Sequence, residues 1–88
     1  MKVLKFGAKW CLGCVVMKPR WQEIEKENPW LETEFYDFDE NPDMAKKYDI
    51  KKLPEFVFLD KNGEEITRMH GEISKEKIID AINQYKDR

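Results

Sequence analysis

Cys11 and Cys14 stand three residues apart in the segment Trp10-Cys11-Leu12-Gly13-Cys14, and the chain has no other cysteine. A thiol pair at this spacing can close an internal disulfide, contribute to a metal site or sit inert in a core. A structural zinc site takes four ligands; with one histidine in the chain, carboxylates would have to complete it. The inert reading is disfavoured by the pair's place just after an apolar run closed by Gly7. Redox chemistry fits best. Thiolate is the reactive form of cysteine, and Cys11 falls at a strand-to-helix boundary. Unpaired N–H groups and the positive end of the helix dipole favour an anion there. Cys11 is expected to attack a partner disulfide and form a mixed disulfide. Cys14, one turn further along an apolar stripe, is expected to be the less exposed thiol and to resolve that intermediate.

The elements that must hold the pair follow from periodicity. Val3 to Phe6 is a short apolar run suited to a buried strand. From Leu12 to about Glu27 the pattern is helical, because Cys14, Met17, Trp21 and Ile24 share one face. Pro19 lies inside this helix, where it deletes a backbone hydrogen bond and is expected to kink it at a cost of about 3 kcal/mol. Thr33 to Asp39 is predicted as a second strand. Asn41-Pro42 is predicted to cap and start a short helix with Met44, Ala45 and Tyr48 inward. Pro54 to Leu59 is nearly all apolar, as in a strand covered on both faces. Asp60-Lys61-Asn62-Gly63 should turn it into a hairpin with Glu64 to His70. Ile66, Arg68 and His70 then lie on one side of that strand, Thr67 and Met69 on the other. Ser74 can cap a last helix carrying Ile78, Ile79, Ile82 and Tyr85. The order β-α-β-α-β-β-α, with a right-handed first crossover, predicts an α/β fold: a four-stranded mixed sheet with helices on both faces.

Bulk properties bound the rest. A length of 88 residues suits one domain spanning 1–88, and a 41% hydrophobic share with eleven aromatics supports a packed core rather than disorder. The 16 basic and 18 acidic residues are mixed along the chain, so no basic stripe points to nucleic acid. Lys5 interrupts the first apolar residues too early for a signal-peptide core, and no stretch could span a bilayer. A cytoplasmic setting is expected. There a closely spaced cysteine pair serves redox or metal chemistry more often than structure.

Phe6, Ala8, Trp10-Cys11-x-x-Cys14, Pro19, Asp39-x-Asn41-Pro42, Tyr48-x-Ile50, Leu53-Pro54, Asn62-Gly63 and Gly71 resemble the thioredoxin family in order and spacing. The resemblance runs over nearly the whole chain. It implies a thioredoxin-like fold lacking the leading strand and helix of a full-length thioredoxin, with a size nearer to a glutaredoxin. It also implies a monomeric protein-disulfide reductase working by dithiol exchange, Cys11 as nucleophile and Cys14 as resolving thiol, without organic cofactor or metal. Its partners would be protein disulfides, with a thioredoxin-reductase-like flavoprotein or glutathione as electron donor. A glutaredoxin-like, glutathione-coupled reductase is the neighbouring alternative. A non-catalytic thioredoxin-fold binding module is the alternative from another class, and joint retention of Cys11, Cys14 and Pro54 argues against it. By the same resemblance, the Leu53–Pro54 bond is cis and lies against the disulfide. The backbone of Leu53 is left to pair with an extended substrate, and Trp10, Leu12 and Gly71 add contacts around it. Trp10 resembles the family tryptophan that shields the nucleophile; Trp21 and Trp30 have no such match, Trp21 being expected in the core and Trp30 over the sheet end.

Three departures stand out. Leu12-Gly13 separates the cysteines where thioredoxins have Gly-Pro and glutaredoxins typically Pro-Tyr. Gly13 is expected to loosen the turn and alter the balance of dithiol and disulfide, so the thioredoxin potential of about −270 mV is a loose guide. Lys5 replaces the family's buried aspartate six residues before the first cysteine. It could stabilise a thiolate or be buried neutral, or it could simply snorkel or pair with a nearby carboxylate, and this last, structural reading is favoured. His70, just before Gly71, is a candidate proton donor or acceptor near the cysteines, or simply a solvated strand end.

Overall fold

Seven elements in the predicted order make up the computed structural model, which describes residues 1–88. They are β1 (Lys2–Gly7), α1 (Leu12–Glu27), β2 (Glu32–Asp37), α2 (Pro42–Lys47), β3 (Glu55–Leu59), β4 (Glu65–His70) and α3 (Lys75–Tyr85). The strands form one mixed sheet in the order β2-β1-β3-β4. β1 runs parallel to β2 and antiparallel to β3, and β4 returns antiparallel beside β3.

Strand alternation divides the core in two. Val3, Phe56 and Phe58 meet Met17, Trp21 and Ile24 of α1 and Ile78, Ala81 and Ile82 of α3 on one face. Leu4, Phe6, Val57 and Leu59 meet Ala45 of α2 and Ile50 on the other. Both faces of β3 are covered, which is why its five residues are all buried. Each large apolar side chain buried along α1 contributes about 1.5–3 kcal/mol. Met17, Trp21 and Ile24 together therefore outweigh the cost of Pro19, and α1 continues through the proline.

Several local expectations are corrected. β2 stops at Asp37, not Asp39, because Oδ1 of Asp37 accepts the backbone N–H groups of Asp39 and Glu40 at 2.9 and 3.1 Å and turns the chain out of the sheet. β4 starts at Glu65 because Glu64 closes the hairpin, its carbonyl accepting Asp60 N–H at 2.8 Å. Ser74 caps α3 as expected, accepting Lys77 N–H at 3.2 Å. Asn41 precedes α2, but its side chain makes no cap; its amide donates back to the Asp37 carbonyl at 3.0 Å. Trp30 is not part of the core. It is 52% exposed, and Leu31 takes the inward place instead.

Candidate active site

β1 delivers the chain to Gly7, and a tight turn follows in which Cys11 N–H donates to the Ala8 carbonyl at 3.2 Å. Cys11 is the N-cap of α1, and its Sγ accepts the N–H of Cys14 at 3.2 Å. A side chain that accepts a backbone N–H at a helix start is held where negative charge is favoured. The two sulfurs lie close to disulfide distance, with the Cα atoms 5.2 Å apart.

The expected order of exposure is reversed. Cys11 is 7% exposed, whereas Cys14 is half-buried. Cys14 lines an open cleft of about 640 Å³ between α1 and the β1–β2 side of the sheet, with Val15 and Phe35 at the same cleft. Its Sγ packs over Gly7, where an added Cβ would stand 3.2 Å from the sulfur. The N-cap hydrogen bond, not exposure, is what distinguishes the two thiols.

The Leu53–Pro54 peptide is cis, as the resemblance implies. Pro54 lies against Gly13, whose missing side chain leaves room for the ring: a Cβ there would be 3.0 Å from Pro54 Cδ. Gly13 therefore provides space as well as flexibility. The Pro54 carbonyl accepts Gly71 N–H at 2.8 Å, and Gly71 holds φ +87°, a conformation open to glycine. Leu53 spends neither its N–H nor its carbonyl on a backbone hydrogen bond within the chain. Trp10 and Leu12 are exposed at 65% and 83%, and Trp10 Nε1 donates to Asp39 Oδ2 at 2.8 Å.

Lys5 pairs with a carboxylate. Its Nζ is 2.5 Å from Glu25 Oε2, an oxygen that also accepts the Thr33 hydroxyl at 3.0 Å. The ammonium lies 5.7 Å from the centre of the Trp21 ring, and Lys5, Glu25 and Trp21 line the same cleft as Cys14. His70 is not brought to that cleft. It is exposed, lies opposite Glu55 in the sheet register, and shares the α2 face with Arg68. Strand alternation places it on the sheet face opposite the one that α1 packs against. Sequence reading gave Glu25 and Asp39 no role. Glu25 follows Trp21 by four residues on the α1 stripe, a spacing that could have revealed it, and Asp39 stood inside a quoted motif.

No group of three or more His, Cys, Asp or Glu side chains converges as a metal site, and no helix is long and apolar enough to cross a membrane. A cysteine pair at the start of a helix that follows a central strand, its first member the N-cap, beside a cis-proline loop, defines a redox-active dithiol/disulfide protein of thioredoxin-like fold. The thioredoxin family model matches residues 1–84. The chain is 38% identical over 69 residues to thioredoxin H5 of Oryza sativa subsp. japonica, covering 78% of this chain and 50% of that one. It is 34% identical over 84 residues to thioredoxin-1 of Caenorhabditis elegans, covering 92% and 72%. The crystal structure of Fasciola hepatica thioredoxin superposes with a TM-score of 0.88 at 33% identity, over 96% of this chain and 79% of that chain. The chain belongs to the thioredoxin family. It spans half the length of the rice relative and 79% of the fluke structure. Thioredoxins are protein-disulfide oxidoreductases whose active site is the redox-active cysteine pair itself.

Proposed function

We propose that this chain reduces protein disulfides by dithiol exchange, with Cys11 attacking and Cys14 resolving. The observation that carries the reading is the N-cap position of Cys11, whose Sγ accepts Cys14 N–H at 3.2 Å within disulfide reach of Cys14. The Cys11 thiolate attacks one sulfur of the partner disulfide, and the other partner sulfur leaves as a thiolate. The Cys14 thiolate then attacks Cys11 Sγ, the second partner sulfur leaves, and the internal disulfide closes. Two electrons pass to the partner, and its departing thiolates take up protons. An extended segment of the substrate pairs with the free backbone of Leu53, and Trp10, Leu12, Pro54 and Gly71 surround it. A flavoprotein reductase or glutathione returns the electrons, in a cytoplasmic setting.

Cys14→Ser tests the order of attack. With a disulfide-bonded protein substrate it should accumulate a mixed disulfide through Cys11, visible by mass spectrometry and released by dithiothreitol. Cys11→Ser should trap nothing. Capture through Cys14 in Cys11→Ser, with none through Cys11, would reverse the assignment. A redox titration of the wild-type pair in dithiothreitol buffer should show one two-electron transition; its absence would defeat the enzymatic reading.

A further inference from the structure

The loop that presents Leu53 and Pro54 has few bonds of its own. Ile50 is anchored by its N–H on the Ala45 carbonyl at 2.8 Å. Lys51 and Lys52 follow as exposed residues, and the next backbone hydrogen bond is the one from Gly71 N–H to the Pro54 carbonyl. A single side chain reaches both ends of this span. Arg68 Nη1 donates to the carbonyl of Tyr48, just before the loop, at 2.8 Å and to Oε2 of Glu55, just after it, at 2.8 Å. Its Nε and Nη2 fork onto the two carboxylate oxygens of Glu65, at 2.7 and 2.6 Å.

The parts have separable tasks. Glu65 sits three residues before Arg68 in β4, so its fork fixes the guanidinium plane from within the same strand. Glu55 is charged in an otherwise apolar strand and its side chain is 8% exposed; without a cation its carboxylate would be buried and unpaired. Glu65 first, and then Glu55, hold the Arg68 guanidinium firmly in its charged form. An ammonium is a point charge and cannot reproduce a planar fork on one carboxylate together with two further acceptors.

We propose that Arg68 is a positioning residue for disulfide exchange, holding the Tyr48–Glu55 span so that Leu53 offers its free backbone beside the cysteine-bearing turn of α1. This rests on the dithiol-exchange reading above. Arg68 touches neither sulfur. It acts by ordering the receiving segment before the substrate arrives, which lowers the cost of binding an extended chain.

The test compares wild type, Arg68→Lys and the charge-balanced pair Arg68→Met/Glu55→Gln, each checked for folding by circular dichroism. KM and kcat are measured for insulin disulfide reduction with dithiothreitol as reductant. Reactivity toward a small aromatic disulfide and the pH profile of Cys11 alkylation are measured beside them. The expected result is a KM for insulin raised about tenfold, equivalent to about 1.4 kcal/mol, with small-disulfide reactivity and the alkylation profile unchanged. An unchanged KM in folded Arg68→Lys and in the folded double variant would overturn the proposal, as would an equal loss toward both substrates. If wild type itself reduces no insulin, the dithiol-exchange reading fails separately. Amide hydrogen exchange over residues 49–53 then decides: faster exchange in Arg68→Lys supports the clamp, and equal exchange overturns it.

Discussion

A Cβ placed on Gly13 would stand 3.0 Å from Cδ of Pro54, so the helix carrying the cysteines and the loop facing them meet where a side chain is missing. Replacing glycine by alanine inside a helix ordinarily gains about 1 kcal/mol. Here the added methyl meets a proline ring held in the chain, and overpacking of that kind costs about 1–3 kcal/mol. Gly13→Ala should therefore show no gain in its urea midpoint and a slower reduction of a protein disulfide. A stabilised variant with full activity would mean that the two elements move apart freely.

Much of the fold was legible because long apolar stripes leave few alternatives. The limits of α1 at Leu12 and Glu27 followed from Cys14, Met17, Trp21 and Ile24, and the burial of β3 followed from its unbroken apolar run. The misread ends lie where a side chain competes for backbone groups. Asp37 ends β2 by accepting two N–H groups, a choice that periodicity does not encode. The cysteines and Pro54 were legible through their spacing and resemblance. The partners of Lys5 and Arg68 were not, because each pair joins residues well separated in sequence: Lys5 to Glu25, and Arg68 to Glu55 and Tyr48. Cys14 was misjudged for a related reason. A place on an apolar stripe says which way a residue faces, not whether the helix leaves a cleft beside it.

Lys5 and Glu25 should behave as a unit. Their side chains are 16% and 28% exposed, so Lys5→Met leaves a carboxylate with one partner fewer in a partly screened site. A loss of about 1 kcal/mol is expected in Lys5→Met, largely recovered in Lys5→Met/Glu25→Gln, where no charge is left behind. The same cleft holds Cys14. Removing the cation while leaving the anion should move the midpoint of thiolate absorbance to higher pH, and the double variant should move it back. An unchanged titration in both would confine Lys5 to a structural role.

Asp60 gives the hairpin a dependence on pH. Backbone N–H groups of Glu64, and then of Asn62, hold its carboxyl below the ordinary value of 3.8, while partial burial opposes them. A carboxylate with a depressed folded-state value contributes its stability fully above the unfolded value and loses it as pH falls through the folded one. Asp60→Ala should melt below wild type at pH 7, and the gap should narrow steadily below pH ~4. A gap of constant size down to pH ~2 would assign the effect to turn geometry rather than to charge.

Trp10 is 65% exposed, yet its indole nitrogen is tied to Asp39 Oδ2 at 2.8 Å. An exposed aromatic ring held in one orientation offers a partner a large apolar surface at little further entropy cost. Asp39→Ala should free the ring and raise KM for a protein disulfide about fivefold, the equivalent of one solvent-exposed hydrogen bond worth about 1 kcal/mol. Asp39→Asn keeps an acceptor oxygen and should lose less. The ring itself can be followed by fluorescence anisotropy after Trp21→Phe and Trp30→Phe. The first removes an indole N–H that is buried without a partner, and the second alters a surface residue, so neither breaks a hydrogen bond of the fold. Lower Trp10 anisotropy in Asp39→Ala together with the raised KM is the expected pair of results. A mobile ring with an unchanged KM would mean that the substrate docks without help from a fixed Trp10.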